Sequence, residues 1–470
     1  MPLHCPKCGA GVLEFRYDLE GLDERLEEGL GGELGVWRYS ALLPPLRSRI
    51  SLLEGGTPLH RSTRIDGLSN LFIKDEARNP TSSYADRAST LVVSMAVEAG
   101  ASRVACATDG DSGASIAAYS SKAALDCIIF APSRTEAGKL IQALVYGARV
   151  IRIPGELPAA VSRCRSLCRR GSRLDVTIES SPYAVEGEKT AAFEIWEELG
   201  AAPDFVVVPV GSGTNIYSIW KGFKELRAAG LIDALPHMVA VQADACGPIV
   251  RAFKGETELY PADPGTTIAT SIAIVRPENG EQALAALSES RGYGYLFSDD
   301  EIVESARMVS SREGIFAEPA STATVLAARR LVEEGEADPS DRIVCVMTGS
   351  GLKVPDGIAK GLTSRLEESW ELVSAKERSV GPIGRTKMEI LEILSEQESY
   401  PYAIWGALSS RLPRSLSLQS VYQHVSELRE MGLVRGFHRP WGSRRSYVAL
   451  TERGRMLLDR LRSVESDLFG

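Results

Sequence analysis

The sequence predicts an α/β protein with parallel sheets covered by helices, followed by a smaller domain of different character. Short apolar segments alternate with amphipathic segments between about residues 50 and 360. Such alternation is typical of a parallel sheet with helices on both faces. The pattern ends after Lys353, and Val380-Gly381-Pro382 is a natural breaker. With 470 residues, the chain is long enough for two or three domains.

The predicted strands are short runs of mostly β-branched and other apolar residues. In chain order they are Phe72-Ile73, Val104–Cys106, Cys127–Phe130, Val150–Ile153, Phe205–Val210, Met238–Val241 and Ile343–Met347. Amphipathic segments at Ala114–Ala124 and Ala191–Leu199 predict helices between them. Ligands of parallel sheets bind beyond the carboxyl ends of the strands. The loops that follow these strands are therefore the candidates for a functional site.

Charge limits the classes of function. The net charge of −9 argues against nucleic-acid binding by the whole chain. Residues 376–470 carry 15 Lys and Arg against 11 Asp and Glu, which is +4 and leaves −13 for the remainder. This asymmetry predicts a C-terminal module with its own partner, the alternative being an ordinary solvated surface.

The apolar pattern and the cysteines bear on location and metal binding. No apolar run approaches the ~20 residues that span a bilayer, and no signal-peptide pattern begins the chain, so we expect a cytoplasmic protein with reduced cysteines and no membrane contact. Cys5 and Cys8 form one Cys-x-x-Cys pair, half of a zinc ribbon. Tetrahedral zinc needs four ligands. The pair is therefore a weak metal candidate, and no metal is predicted.

A glycine-rich loop follows the predicted strand Phe205–Val210 and opens a predicted helix, Ile216–Leu226. The loop consists of Gly211, Ser212, Gly213, Thr214 and Asn215. Glycines let backbone N–H groups turn towards an anion, and the helix N-terminus adds a favourable dipole. The loop indicates a phosphate site, or else a plain turn between strand and helix.

The strongest signal is the segment Asn79-Pro80-Thr81-Ser82-Ser83-Tyr84-Ala85-Asp86-Arg87. It resembles the Asn-Pro-Thr-Gly-Ser-Phe-Lys-Asp-Arg signature of threonine synthases and related fold-type-II pyridoxal-phosphate (PLP) enzymes. In that family the lysine forms the Schiff base with the cofactor and shuttles protons. Ala85 takes its place here, and a methyl group does neither. With other matching stretches, the resemblance covers about residues 5–360.

The resemblance implies a two-lobed fold like that of the tryptophan synthase β subunit, with a small lobe at about 90–175. It implies that the loop 211–215 holds the PLP phosphate and that the hydroxyl of Thr348 meets the pyridine nitrogen. Asp111 would face the 3′-oxygen of the ring. The residues implied to bind the substrate carboxylate are Ser83, Asp109, Ser112 and Gly113. The alternative at the loop 108–113 is a helix start capped by Asp111 or Ser112, and both roles can hold together.

The departures from the family pattern lie where the substrate would bind. Threonine synthases place an Asn-Ser pair and an arginine near the substrate phosphate, where this chain has Ile178, Glu179 and Ala184. A second family arginine is replaced by Ala273. Losing a cation and adding a carboxylate would repel phosphohomoserine, so Glu179 is a candidate substrate-facing residue.

Other lysines are not expected to replace the missing one. Lys74, Lys189, Lys221 and Lys353 belong to other matched segments, and none is adjacent to position 85. A reactive amine must be positioned closely. Any PLP would then be bound non-covalently.

Residues 381–470 resemble PadR-like winged-helix regulators. Helices are predicted at Arg385–Gln397, Tyr402–Leu412 and Leu418–Met431, followed by a two-stranded wing. The side chains expected to meet DNA are Gln419, Ser420 and Gln423 on the third helix and Arg439, Arg444 and Arg445 in the wing. A last helix after Thr451 is a candidate dimerisation arm. The alternative is a winged helix used for protein contacts alone.

These observations predict four segments: an N-terminal segment at 1–50, a PLP-binding domain at 51–365, a linker at 366–380 and a winged helix at 381–470. The favoured hypothesis is a homodimeric transcription regulator that senses an amino acid or a PLP adduct and binds DNA. The alternative is a threonine-synthase-like lyase that converts phosphohomoserine to threonine or carries out a related replacement. In that case Ala85 is an introduced substitution for lysine.

Overall fold

The computed structural model describes residues 13–19, 34–171, 173–260, 265–354, 385–411, 416–438 and 446–459. The chain divides into two compact units, Met1–Gly361 and Leu362–Gly470. The candidate metal ligands Cys5 and Cys8 and the candidate wing residues Arg439, Arg444 and Arg445 lie outside the described residues. In the described part of the chain, no helix combines the length and the apolar character needed to cross a bilayer.

The first unit contains a six-stranded sheet of order β1-β2-β10-β7-β8-β9. Its strands are β1 (Leu59–Arg61), β2 (Leu71–Asp75), β7 (Phe205–Pro209), β8 (His237–Ala243), β9 (Tyr293–Phe297) and β10 (Ile343–Met347). Only β1 is antiparallel to its neighbour, and the other pairs are parallel. Buried apolar residues of this sheet face helices on both sides, forming two core clusters.

A second sheet of four parallel strands has the order β5-β4-β3-β6. Its strands are β3 (Arg103–Ala107), β4 (Asp126–Pro132), β5 (Arg149–Ile153) and β6 (Leu174–Asp175). The seven predicted strands coincide with strands of the two sheets, so the parallel α/β prediction is confirmed. The short strands β1 and β6 and the edge strand β9 were not predicted.

Helices connect the parallel strands, as crossover connections require. Those of the first unit are α1 (Ala85–Glu98), α2 (Asp111–Lys122), α3 (Ala137–Val145), α4 (Leu157–Arg169), α5 (Pro182–Glu188), α6 (Thr190–Leu199), α7 (Thr214–Ala228), α8 (Pro248–Phe253), α9 (Gly280–Glu289), α10 (Asp299–Glu313) and α11 (Pro319–Glu333). Helices α2 and α7 begin at the carboxyl ends of β3 and β7, the ends where parallel sheets bind ligands.

The described residues of the second unit form three helices with defined bounds, an antiparallel strand pair and a further helical segment at residues 452–459. The three helices and the two strands are α12 (Arg385–Glu396), α13 (Pro401–Arg411), α14 (Leu418–Glu430), β11 (Val434–His438) and β12 (Ser446–Leu450). Ser417 caps α14 by accepting a hydrogen bond from the Ser420 N–H, and Gly432 follows the helix with a φ of +69°. Val421, Val425 and Leu428, which lie on one face of α14, are buried in one core cluster.

Candidate functional site

Ala85 is the first residue of α1 and lies in a wall shared with the end of β10. The Tyr84 N–H donates to the Thr348 carbonyl at 2.8 Å, and the Ser350 N–H donates to the Ser82 carbonyl at 3.2 Å. Ser83 forms a bridge with Gly349 between these two bonds. The methyl group at position 85 therefore lies next to the loop that carries Thr348, as the sequence comparison implied.

The two residues after Ala85 anchor the start of α1. Asp86 accepts hydrogen bonds from the backbone N–H and the hydroxyl of Thr81, at 2.6 and 2.7 Å. Arg87 is fully buried, and its guanidinium pairs with Glu76 at 2.7 Å and with Glu194 at 2.6 Å. These contacts fix the backbone at position 85 without using its side chain.

The glycine-rich loop at the start of α7 tolerates no side chain at two positions. Gly213 has a φ of +93°, and a Cβ there would lie 2.5 Å from the Asn279 carbonyl oxygen. A Cβ on Gly211 would lie 2.9 Å from the Ser271 carbonyl oxygen. No side chain caps the N-terminus of α7. In its first turn the Ile216 N–H donates to Asn215 Oδ1 at 2.8 Å, which leaves the N–H groups of Thr214 and Asn215 for an anion.

The loop that precedes α2 is stabilised by Thr108. Its hydroxyl oxygen accepts hydrogen bonds from the N–H groups of Gly110 at 2.8 Å and Gly113 at 3.0 Å. Helix α2 has no side-chain cap. The expectation that Asp111 or Ser112 caps this helix is therefore wrong, because the preceding threonine satisfies the turn and the Asp111 carboxylate pairs with lysines instead.

These loops enclose one pocket. Among the residues singled out from the sequence, those that line it are Ser83, Ala85, Asp109, Asp111, Ser112, Glu179, Gly211, Ser212, Thr214, Asn215 and Thr348. Gly113 and Gly213 are not part of the lining. Gly113 packs against Thr108, where a Cβ would lie 2.5 Å from the threonine methyl group. Gly213 packs against the backbone of Asn279. Two carboxyl side chains that the sequence did not single out, Glu188 and Glu318, also line the pocket.

Two lysines meet one carboxylate of the pocket. Nζ of Lys139 lies 2.9 Å from Oδ2 of Asp111, and Nζ of Lys353 lies 3.0 Å from Oδ1. Lys139 Nζ is also 3.6 Å from Oε1 of Glu318. Burial opposes ionisation of Asp111, but the two ammonium groups outweigh it and hold the pKa of that carboxyl well below its usual range. Lys139 escaped the sequence analysis because it is far from every motif along the chain.

Three further carboxyls of the pocket have no lysine or arginine within ion-pair distance among the described residues: Asp109, Glu179 and Glu188. Burial raises the pKa of Asp109 to about 6. Burial, with a contribution from Asp109, raises the pKa of Glu179 to about 8. Burial and the neighbouring Glu179 raise the pKa of Glu188 to about 8. A negative charge is therefore costly on this side of the pocket.

A larger cavity of about 680 Å³ adjoins the pocket. The two share Asp109 and Glu179 in their linings, and Ala273 lies in the cavity wall. The cavity is also lined by arginines, of which Arg134 pairs with Glu156 and Arg165 pairs with Glu278. Its volume is in the range of small-molecule sites.

In the second unit, the side chains expected to read DNA lie on α14. Gln419 and Gln423 are exposed and Ser420 is half-buried. Tyr422, on the same face, is 54% exposed and had not been singled out. Gln423 Nε2 donates to Glu427 Oε1 at 3.0 Å, and Glu427 pairs with Lys387 at 2.8 Å.

Comparison with known proteins identifies relatives of the first unit. The family described as "Pyridoxal-phosphate dependent enzyme" matches residues 50–349. Threonine synthase of Methanocaldococcus jannaschii is 43% identical over 361 residues, covering 74% of this chain and 88% of that protein. Threonine synthase of Methanosarcina acetivorans is 38% identical over 360 residues, covering 75% and 88%.

Solved structures give the same fold. Maize serine racemase superposes with a TM-score of 0.58 at 15% identity, covering 76% of this chain and 100% of that one. Threonine deaminase isoform 2 from Solanum lycopersicum gives 0.56 at 18% identity, covering 74% and 91%. The chain therefore belongs to the family of pyridoxal-phosphate dependent enzymes, whose cofactor is pyridoxal 5′-phosphate, and has threonine synthases among its homologues.

Proposed function

We propose that this protein is a ligand-responsive DNA-binding regulator whose sensor is a pyridoxal-phosphate enzyme fold without its reactive amine. The observation that carries the proposal is the methyl group of Ala85 in the wall of the pocket, at the position that matches the family lysine. The ligand is an amino acid or its adduct with the cofactor. The regulator is expected to act as a homodimer in the cytoplasm.

The pocket suits the cofactor in every respect except the covalent link. Gly211, Ser212, Thr214 and Asn215 line the pocket beside the N-terminus of α7, where a phosphate would bind. The Thr348 hydroxyl, 3.0 Å from the Ser321 hydroxyl, is a neutral partner for the ring nitrogen. When bound, the cofactor supplies an aldehyde and an electron-withdrawing ring.

The pocket residues can hold a ligand, but none of them provides a proton donor or acceptor at position 85. A methyl group neither donates nor accepts a proton, and the lysines that approach the pocket are paired with Asp111. Burial opposes the charge of Lys139, but Asp111 and Glu318 outweigh it and raise the pKa of its ammonium group. Its nitrogen therefore has no free lone pair at neutral pH.

DNA binding is assigned to the second unit, which we interpret as a winged helix similar to PadR-like regulators. The support is the order of three helices and an antiparallel strand pair, with exposed polar side chains on the third helix, α14. Residues 376–470 are positively charged overall, whereas the rest of the chain is negative. A polar, exposed helix of this size fits the major groove.

The test is retention of duplex DNA by the full chain. We expect binding at low salt that weakens as salt rises and that changes when an amino acid and pyridoxal phosphate are added. The double variant Arg444→Ala/Arg445→Ala should weaken binding, whereas Arg307→Ala, which removes an arginine of α10, should not. Absence of duplex binding at low salt would contradict the proposal.

A second candidate is a threonine-synthase-like lyase in which Ala85 is an introduced substitution for lysine. The observation that favours it is the 43% identity to a threonine synthase over 88% of that protein. Release of threonine from phosphohomoserine by the chain as it stands, or by Ala85→Lys, would support this candidate. Neither should occur if the protein is a sensor.

A further inference from the structure

We propose that a zinc ion binds between α4 and β6, to the thiols of Cys164 and Cys168 and to the carboxylate of Asp175. One ligand atom from each of these three residues lies within 4.8 Å of the ligand atoms of the other two. None of the three residues lines the pocket or the adjoining cavity. The site is therefore separate from the cofactor site, and the inference goes beyond the proposed function.

The sequence places the two thiols on one face of α4. Ala160, Cys164 and Cys168 follow one another at intervals of four residues, so their side chains point to the same side of the helix. Ala160 and Cys164 are buried in one core cluster, and Cys168, in the last turn of α4, is half-buried against it. A short connection joins α4 to β6, which brings Asp175 back beside this face.

The carboxylate of Asp175 is held in place by its own neighbours. Its Oδ1 accepts hydrogen bonds from the Thr177 N–H at 3.0 Å and from the Cys164 thiol at 3.8 Å. Asp175 is half-buried and forms no ion pair with another described residue, since Arg173 pairs with Asp126 instead, at 2.6 Å. A metal ligand is commonly oriented by such a backbone partner. A half-buried carboxylate without a cation also gains from an incoming one.

One of the two thiols is predisposed to lose its proton. A hydrogen bond from Cys164 lowers the pKa of Cys168 against the effect of burial, and Arg173 acts in the same direction. The same hydrogen bond, together with burial, raises the pKa of Cys164. Metals bind the thiolate rather than the thiol. Cys168 is therefore the first sulfur ligand, and zinc displaces the proton of Cys164 to solvent.

The ligand set favours zinc over other common cations. Zinc accepts a mixture of sulfur and oxygen ligands, whereas magnesium and calcium take oxygen ligands. With a zinc–sulfur distance of about 2.3 Å, tetrahedral geometry places two sulfur ligands about 3.8 Å apart. Atoms that lie within 4.8 Å of one another therefore approach by at most about 1 Å on binding. Cys168 and Asp175 are half-buried, so rotation of their side chains supplies this approach. A water molecule completes the fourth position.

The test is titration of the reduced full chain with zinc, without pyridoxal phosphate or DNA. Every protein tested carries Cys5→Ser/Cys8→Ser, which removes the Cys-x-x-Cys pair near the start of the chain. We expect one zinc ion per chain, and with cobalt in its place the absorbance that is typical of a thiolate bound to the metal.

Substitutions identify the ligands. Loss of a partner outside the ligand shell already costs about 10–100-fold in affinity, so Cys168→Ser should weaken zinc binding at least about 100-fold. Asp175→Asn keeps an oxygen but loses the charge, and should weaken binding about tenfold. The control Cys246→Ser removes a buried thiol outside the site and should leave the affinity unchanged.

A second readout needs no substitution at the site. Zinc should slow alkylation of Cys168 by iodoacetamide, measured by mass spectrometry of the digested protein. Urea unfolding without metal checks that Cys168→Ser is as stable as its parent, and if it is not, the alkylation readout decides.

Absence of stoichiometric zinc binding, or equal affinity of Cys168→Ser and its parent, would overturn the inference and leave the two cysteines as packing residues. Alkylation of Cys168 at the same rate with and without zinc would overturn it as well. DNA retention measures the proposed function separately, so either proposal can fail without the other.

Discussion

Nζ of Lys139 lies 2.9 Å from Oδ2 of Asp111, in the pocket that Ala85 also lines. The pair is formed by helices that begin after neighbouring strands of the small sheet. It shows why an amine in the vicinity is not equivalent to an amine at position 85. The carboxylate keeps the lysine charged, so the nitrogen cannot attack an aldehyde.

The first prediction concerns covalent attachment of the cofactor. With pyridoxal phosphate and borohydride, the chain as it stands should yield no peptide carrying the cofactor, because Lys139 and Lys353 are both paired with Asp111. Ala85→Lys should yield one modified peptide, at residue 85. Mass spectrometry of digested protein measures this. Ala85→Met, with a side chain similar in length to lysine but without nitrogen, is the control. Attachment of the cofactor to Lys139 or Lys353 in the chain without a substitution would contradict the prediction.

The second prediction concerns the glycine loop. Gly213→Ala should weaken binding of pyridoxal phosphate, because the residue has a φ of +93° and the added Cβ would lie 2.5 Å from a backbone oxygen. Cofactor absorbance during titration measures this. Gly230→Ala is a matched control, since Gly230 has a φ of +74° and open space around the added Cβ. Gly230→Ala introduces the same kind of backbone strain without the collision. Equal loss of cofactor binding in both variants would exclude a role of the glycine-rich loop.

The third prediction concerns the buried arginine after position 85. Arg87→Met should lower the free energy of unfolding by about 3–5 kcal/mol, because Glu76 and Glu194 would lose their shared cation. Urea unfolding measures the change. Arg307→Met removes an exposed arginine that pairs with Glu304 and should lower the free energy of unfolding far less, because solvent screens such a pair. Similar losses in the two variants would contradict the role given to the buried network.

The fourth prediction concerns pH. Burial raises the pKa of Glu188 to about 8 from an ordinary value of 4.5. The unfolded chain therefore releases this proton at lower pH than the folded chain does, and stability falls as pH rises between about 4.5 and 8. Glu188→Gln should be more stable than the parent, by an amount that grows across this window and levels off above it.

Urea unfolding of both proteins at pH 5, 6, 7 and 8 measures the difference. Glu333→Gln, on the exposed face of α11, controls for loss of a carboxylate and should give a small, constant difference. A difference for Glu188→Gln that does not change with pH would show that the carboxyl is ionised in the folded protein throughout.

The sequence predicted the parallel strands because their apolar runs are bounded by clear turns. It missed β9, Tyr293–Phe297, in which aromatic residues alternate with glycine and leucine and the burial pattern is uneven. It located the loops around Asp111, Gly211 and Thr348, since each follows a recognisable strand. Local pattern is sufficient for these features.

The composition of the pocket was less accessible to sequence analysis. Lys139, Glu188 and Glu318 approach it from three helices or helix starts far apart in the chain, and only the packing of those elements reveals their neighbours. The charge of each side chain also depends on its depth. The burial of the carboxyls and the interaction between them decide whether a site favours a cation. The amino-acid sequence gives neither the depth of a side chain nor its distance from its neighbours.

The network of Arg87, Glu76 and Glu194 has a consequence for how such proteins arise. It fixes the first turn of α1 through contacts in which residue 85 takes no part. The side chain at position 85 can therefore change without loss of these contacts. At this position the reactive group and the stability of the fold are independent, so the same fold can carry a different function.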